Sequence, residues 1–194
     1  MTDTPRPHKR LTVLAQEWLS LYLEPGDWAI DATCGNGHDT AFLAEKVGAH
    51  GCVWSFDIQQ KALDATQSLL TAKSYIHQVR LCHQSHEQIP DVLPLAAKGR
   101  IKAFMFNLGY LPGSEKSIIT ETATTLRALK HCCDYRDPLR GVGTLILYRG
   151  HSGGLEETNA VIEWLRQSHI PHETHPVHLG DALSPILLTL GSSY

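Results

Sequence analysis

Short apolar runs alternate with segments of helical spacing along this chain, and that alternation is its strongest constraint on fold. Apolar runs occupy Trp28 to Thr33, Cys52 to Phe56, Val79 to Cys82, Ile101 to Phe106 and Val142 to Tyr148. They are apolar almost throughout, as strands buried on both faces are. Between them, hydrophobic residues recur at helical intervals. One such stripe is Leu11, Leu14, Ala15, Trp18, Leu19 and Tyr22; Phe42, Leu43 and Val47 form a second; Ala62, Leu63, Thr66, Leu69 and Leu70 form a third. Ile118, Thr122, Leu126, Leu129 and Cys133 predict a long helix, and Val161, Trp164 and Leu165 another. Pro25-Gly26-Asp27 ends the first helix with a turn. Ser85 with Gln88 has capping-box spacing, so a short helix is expected there. Two late strands, His172 to Val177 and Ile186 to Leu190, bring the count to seven. The expected fold is α/β and Rossmann-like: a mostly parallel seven-stranded sheet with helices on both faces. The 194 residues suit one domain, 1–194, with residues 1–24 as a helical segment packed on it.

Several classes are disfavoured. No apolar run approaches the roughly 18–20 residues that span a bilayer, so no membrane partner is expected. The first ten residues are polar and lack a signal peptide's apolar stretch, which predicts a cytoplasmic protein. Cys34, Cys52, Cys82, Cys132 and Cys133 form no C-x-x-C pair, as expected of reduced thiols. His83 and His86, and the series His169, His172, His175 and His178, lack the partners of a zinc site, so no metal is expected. The net charge of −3 does not announce a nucleic-acid binder, although Arg6, Lys9 and Arg10, or Arg127, Lys130, Arg136 and Arg140, could form a local basic patch. An exposed first helix or a sheet edge could make a homodimer.

Ligands of such sheets sit beyond the carboxyl ends of the strands. That rule selects residues 31–39, 57, 85–86, 107–116 and 149–154. The first segment, Asp31-Ala-Thr-Cys-Gly-Asn-Gly37, is a glycine-rich turn between strand and helix. Gly35 and Gly37 would let the backbone approach a ligand, and Asp57 at the next strand end could accept from two ribose hydroxyls. The turn is not a full G-x-G-x-x-G, because Thr40 stands at the third position after Gly37. An acid at its start suits a pyrophosphate poorly. S-adenosylmethionine, with a ribose, an ammonium, a sulfonium and no phosphate, fits better beside Asp31 and Asp39. A nicotinamide-type or purely structural turn is the alternative.

Residues 31–37 and Asp57 resemble the first motif and the ribose-binding acid of class I methyltransferases. That resemblance implies S-adenosylmethionine as cofactor and S-adenosylhomocysteine as product. It makes Gly35, Asn36 and Gly37 part of the cofactor loop, sets Gln59 beside the adenosine, and lets Ser85 and His86 contact the adenine. Asn107-Leu-Gly-Tyr110 resembles the Asn-Pro-Pro-Tyr motif of methyltransferases acting on amino nitrogens. Asn107 could accept from an N–H and aim the nitrogen lone pair at the methyl group, while Tyr110 packs against a base; orientation carries much of such a displacement's rate. The alternative is a glycine turn with a core tyrosine. His151 is a candidate to take the amine's proton, or else a cap on the strand end.

A narrower resemblance rests on residues 31–43, on Phe56-Asp-Ile-Gln59, and on Phe106-Asn-Leu-Gly-Tyr-Leu-Pro-Gly113 with Lys116-Ser-Ile-Ile-Thr120. Together they look like a small bacterial family long labelled rRNA methylases, which includes tRNA 5-aminomethyl-2-thiouridine methyltransferases. The resemblance runs from about Trp18 to Glu157. It implies a tRNA partner and an aliphatic amine on a wobble uridine as acceptor, with Lys116, Arg127 and Arg149 available for phosphates. Two departures border the acceptor side. Tyr148-Arg149-Gly150-His151 replaces the family's Tyr-His-Gly-His, and residues 180–185 keep one proline of an Asn-x-Pro-Pro stretch. They leave open an rRNA base or a small-molecule amine as acceptor, or a binding module without catalysis.

Overall fold

The structure, a computed structural model, describes residues 10–109, 121–176, 181 and 183–191. Its strands are β1 (Trp28–Asp31), β2 (Cys52–Asp57), β3 (Val79–His83), β4 (Ile101–Leu108), β5 (Val142–Leu147), β6 (His172–Pro176) and β7 (Ile186–Leu190). The helices are α1 (Leu11–Leu19), α2 (His38–Val47), α3 (Gln60–Ala72), the single turn α4 (Ile89–Val92), α5 (Thr122–Tyr135) and α6 (Gly154–Gln167). The sheet has seven strands in the order β3-β2-β1-β4-β5-β7-β6. β1 to β5 pair in parallel, and β7 runs antiparallel to both neighbours. The order reverses between β1 and β4, so the crevice for a ligand opens above those two strands.

Both faces of the sheet are buried. On one, Ile30, Phe56, Phe104 and Phe106 meet Leu129 of α5 and Leu165 of α6. On the other, Met105 and Ile146 meet Leu11 and Leu19 of α1, Leu43 and Val47 of α2, and Leu70 of α3. Each fully buried side chain of this size contributes roughly 1.5–3 kcal/mol. β6 is an edge strand carrying His172, Glu173, Thr174, His175 and Pro176, a polar edge that discourages further pairing. α1 leaves Val13 partly open to solvent, and Leu21 beyond it is exposed. No described helix is long and apolar enough to cross a membrane.

Differences from the sequence reading are local. β1 stops at Asp31 rather than Thr33, because the Asp31 carboxylate accepts the Thr33 N–H at 3.1 Å and turns the chain. β4 runs two residues further, to Leu108. Ser85 caps a 3-10 turn, accepting from the N–H of Glu87 instead of reaching residue 88. The buried stripe of α5 is Thr125, Ala128, Leu129, Cys132 and Tyr135, rotated from the expected Leu126 and Cys133. A polar residue enters that stripe because the Thr125 hydroxyl donates to Glu157 Oε1 at 2.7 Å. Ile118 and Val177 lie outside the described residues.

Candidate functional site

The turn from β1 to α2 is held from within. Gly35 and Gly37 have φ of 55° and 79°, a region that favours glycine. A Cβ on Gly37 would also lie 2.5 Å from Thr66 Oγ1 of α3. Gly37 therefore serves the packing of α3 against the turn, where the sequence points to ligand approach. Asp57, at the end of β2, accepts the Gly35 N–H and the Gln59 N–H, each at 2.9 Å and on separate oxygens. A carboxylate offers about four acceptor positions, so two remain for hydroxyl donors. Beside it, Ile58 is 56% exposed, an apolar surface at the ligand end of the sheet. Asn36 is exposed and Gln59 partly so.

Asp31, expected beside the cofactor, is bound within the turn. It is fully buried; Thr40 donates to one oxygen at 2.6 Å, and the Thr33 N–H binds the other. Both of its oxygens are engaged inside the turn, whose shape it holds. Burial first, and then repulsion from Asp39, pushes its pKa up to about 7, with a smaller contribution from Asp57. Burial raises Asp39 as well, against hydrogen bonds from Gln16 and Asn107 and the charge of His38. Asp39 and Asp57 both repel an ionised Asp31, and carboxylates gathered in this way favour a cation over a pyrophosphate.

Asn107, near the end of β4, is held through both its backbone and its side chain. Its N–H donates to Thr33 Oγ1 at 2.6 Å, and its Nδ2 donates to Asp39 Oδ2 in a short hydrogen bond. Gln16 of α1 donates to the other Asp39 oxygen at 2.6 Å. An ionised carboxylate only accepts, so it fixes the Asn107 amide with its NH2 toward Asp39. The opposite atom, Oδ1, is buried and has no hydrogen-bond partner among the described residues. His151, after β5, is similar. Its Nδ1 lies 2.9 Å from the Ser152 carbonyl, which makes Nδ1 the protonated nitrogen, and its Nε2 is buried without a described partner. Asn107 pairs in register with Ile146 of β5, so the two orphan acceptors belong to the same ends of adjacent strands, one inside β4 and one after β5.

Other expected residues are held by protein partners. His86 is buried; its Nδ1 contacts the Ala32 carbonyl at 3.0 Å and its ring lies 5.8 Å from that of Phe106. It pins the end of β1, and burial lowers its pKa, favouring the neutral ring. Ser85 is partly buried and engaged in its cap. Arg149 donates to the carbonyls of Ser184 at 2.6 Å and Asp181 at 3.0 Å, so the two departures noted in the sequence, residue 149 and residues 180–185, meet in space. Arg127 pairs with Glu87 at 2.6 Å. His83 and His86 face different carbonyls, those of Ile58 and Ala32. Tyr110 and Lys116 lie outside the described residues. The sequence reading did not single out Gln16, which lies outside every motif, or Thr33, Thr40 and Ile58, which lie inside the motifs but whose side-chain contacts and exposure no spacing announces.

This strand order, with β7 reversed and acids gathered where the order switches, is that of the Rossmann-like class I methyltransferase fold. The family described as "Putative rRNA methylase" matches residues 53–179, and the chain belongs to that family. A chloroplastic tRNA (mnm(5)s(2)U34)-methyltransferase of Arabidopsis thaliana is 40% identical over 161 residues, 79% of this chain. The chain spans 58% of that relative's length. Among solved structures, an rRNA-methylase so described from Clostridium thermocellum is similar at 35% identity and a TM-score of 0.86, covering 94% of this chain and 97% of that one. A methyltransferase from Streptococcus mutans in complex with SAH is similar at 32% identity and a TM-score of 0.80, over the same shares of each chain.

Proposed function

We propose that the protein is a cytoplasmic S-adenosylmethionine-dependent N-methyltransferase that methylates the exocyclic amine of 5-aminomethyl-2-thiouridine at the tRNA wobble position. The observation that carries this reading is the Asn107 amide, whose NH2 is held by Asp39 while Oδ1 is buried without a described partner. A buried orphan acceptor costs stability unless a ligand N–H satisfies it. The Arabidopsis relative's name supplies the substrate class.

The donor side fits S-adenosylmethionine on this structure's own terms. Asp57 has acceptor positions left for the two ribose hydroxyls, and Ile58 offers a surface for the adenine. Asn36 and Gln59 border the same space. The carboxylates of Asp39 and Asp57 suit a ligand with an ammonium and a sulfonium. When bound, the cofactor supplies an electrophilic methyl group and departs as S-adenosylhomocysteine.

Asn107 Oδ1 accepts one N–H of the acceptor amine and turns its lone pair toward the methyl group. His151 Nε2 takes the proton that the ammonium must lose before attack. Tyr110 stacks on the base and Lys116 meets phosphate, by the family resemblance. Arg149 holds Asp181 and Ser184 as a wall of the acceptor side. A homodimer would use the outer face of α1. A second reading, an rRNA base or a small-molecule amine as acceptor, is favoured by one observation: Arg149 is engaged by carbonyls rather than open to phosphate.

The test is incubation with S-adenosylmethionine and bulk tRNA from cells lacking the gene, followed by nucleoside mass spectrometry. The proposal expects the 5-aminomethyl-2-thiouridine peak to fall and its methylated form to rise. Unchanged tRNA at low salt, from protein that binds the cofactor, would overturn it and turn the search to rRNA and small amines.

A further inference from the structure

We propose that Gln16, on the N-terminal helix α1, is a positioning residue for the acceptor site: it holds Asp39, and Asp39 decides which way the Asn107 amide faces. The inference rests on the reading that Asn107 Oδ1 receives the amine.

An asparagine amide is nearly symmetric in shape and opposite in polarity at its two ends. Turned one way, Asn107 offers an acceptor to the incoming nitrogen. Turned the other way, it offers an NH2, which would bind the nitrogen's lone pair and block its attack. The backbone bond from Asn107 N–H to Thr33 Oγ1 fixes the residue but not its amide orientation. Orientation comes from Asp39, a side chain only 7% exposed, which takes Asn107 Nδ2 on Oδ2 and Gln16 Nε2 on Oδ1. An ionised carboxylate between two NH2 groups leaves each amide one arrangement.

Gln16 also matters to the charge. Burial raises the proton affinity of Asp39, and the bond from Gln16 is the foremost of the interactions opposing it. A protonated Asp39 would hold a donor as well as acceptors, and Asn107 could then satisfy it in either orientation. Gln16 lies 23 residues before Asp39, and its placement depends on the packing of Leu11, Ala15 and Leu19. α1 thereby reaches the chemistry without touching the reacting atoms.

Reversing the polarity of the chain tests this. Gln16→Glu sets two carboxylates against each other, and turnover at saturating cofactor and RNA should fall about 10-fold or more. Asp39→Asn leaves an amide that can sit either way round, and turnover should fall several-fold. In the double variant, the new amide at position 39 turns its NH2 to the new carboxylate at position 16, and its oxygen again faces the Asn107 NH2. Turnover should then recover to within about 3-fold of wild type, the non-additivity expected of residues in one network. A purely structural role does not predict that rescue. Losses that multiply in the double variant, or full turnover in Gln16→Glu, would overturn the proposal. If Gln16→Glu does not fold by thermal melting, Gln16→Met keeps the test: turnover should drop several-fold at unchanged cofactor affinity, and wild-type turnover would overturn it. Asn107→Ala, run alongside, separates the two ideas. If it keeps turnover, the acceptor reading fails; if it loses turnover while every Gln16 variant matches wild type, only the role of Gln16 fails.

Discussion

The donor and acceptor sides of the site are built differently. On the donor side the Asp31 and Asp57 carboxylates bond over short stretches of sequence, Asp31 to Thr33 and Thr40, and Asp57 to Gln59 and Gly35, 22 residues away at most. On the acceptor side, Asn107 is tied to Thr33 and Asp39, 74 and 68 residues away, and Arg149 to Ser184 and Asp181, 35 and 32 away. A compact turn with its own carboxylates closes once the β1-α2-β2 unit has formed. The acceptor side exists only when α1, α2, β4, β5 and the segment before β7 are all packed. A donor site of the first kind can stay constant while loops of the second kind change which acceptor is taken.

Variants should break the two sides separately. The largest effect is expected from Asn107→Ala, with methyl transfer down about 10²–10³-fold, the range for losing one oriented hydrogen-bonding group in a transition state. Cofactor affinity by calorimetry should hold within about 3-fold. Asp57→Ala should do the opposite. Losing charge-assisted bonds worth roughly 1.5–3 kcal/mol each should weaken cofactor binding by about 10–100-fold; unchanged affinity would remove Asp57 from the ribose. Arg149→Gln should be milder, raising KM for RNA several-fold at constant cofactor affinity and increasing hydrogen exchange around residues 183–186. Its salt dependence decides the role: a phosphate contact would reduce the log–log salt slope by about 1, whereas an arginine engaged by carbonyls leaves the slope unchanged.

The smallest effect is a pH trend. Asp31, with a pKa raised to about 7 by burial and by Asp39, keeps its proton in the folded state where the unfolded chain has lost it. Its contribution to stability is therefore full below about pH 4 and is lost as pH rises toward 7. His86 works in the opposite direction: its lowered pKa withdraws stability as pH falls through the range where the unfolded ring takes up a proton, so wild type alone mixes the two. The Tm of wild type minus that of Asp31→Asn should decline from pH 5 to pH 8. Parallel curves would show that Asp31 does not titrate there.

The same contrast explains what was legible in the sequence. Apolar runs located the five parallel strands and β7, because strands covered on both faces write burial directly into composition, whereas β6, a polar edge strand, carries no such run. The positions of Gly35, Gly37, Asp57 and Asn107 were legible because each lies near a strand end or in the turn that leads into a helix. Asp31 was legible as a site residue but not as a buried one, since nothing in its spacing announces that Thr40 and Thr33 occupy both oxygens. Arg149 reads as a phosphate ligand because its partners are backbone carbonyls, which leave no trace in sequence. Gln16 is a partly buried residue on an amphipathic helix, and only packing brings it to Asp39. The rotated stripe of α5 has the same origin: Thr125 looks like a surface residue until Glu157 of α6 accepts its hydroxyl.

The central claim is that the acceptor side is built for an amine nitrogen, and a matched pair of substrates tests it most directly. Two anticodon stem-loops would carry at the same wobble position either an aminomethyl or a hydroxymethyl group, each incubated with protein and S-adenosylmethionine. The account predicts methyl transfer to the aminomethyl substrate and none above background to the hydroxymethyl one, whose single O–H cannot both donate to Asn107 and give up its proton to a base. Equal transfer to both, or transfer to oxygen alone, would contradict it.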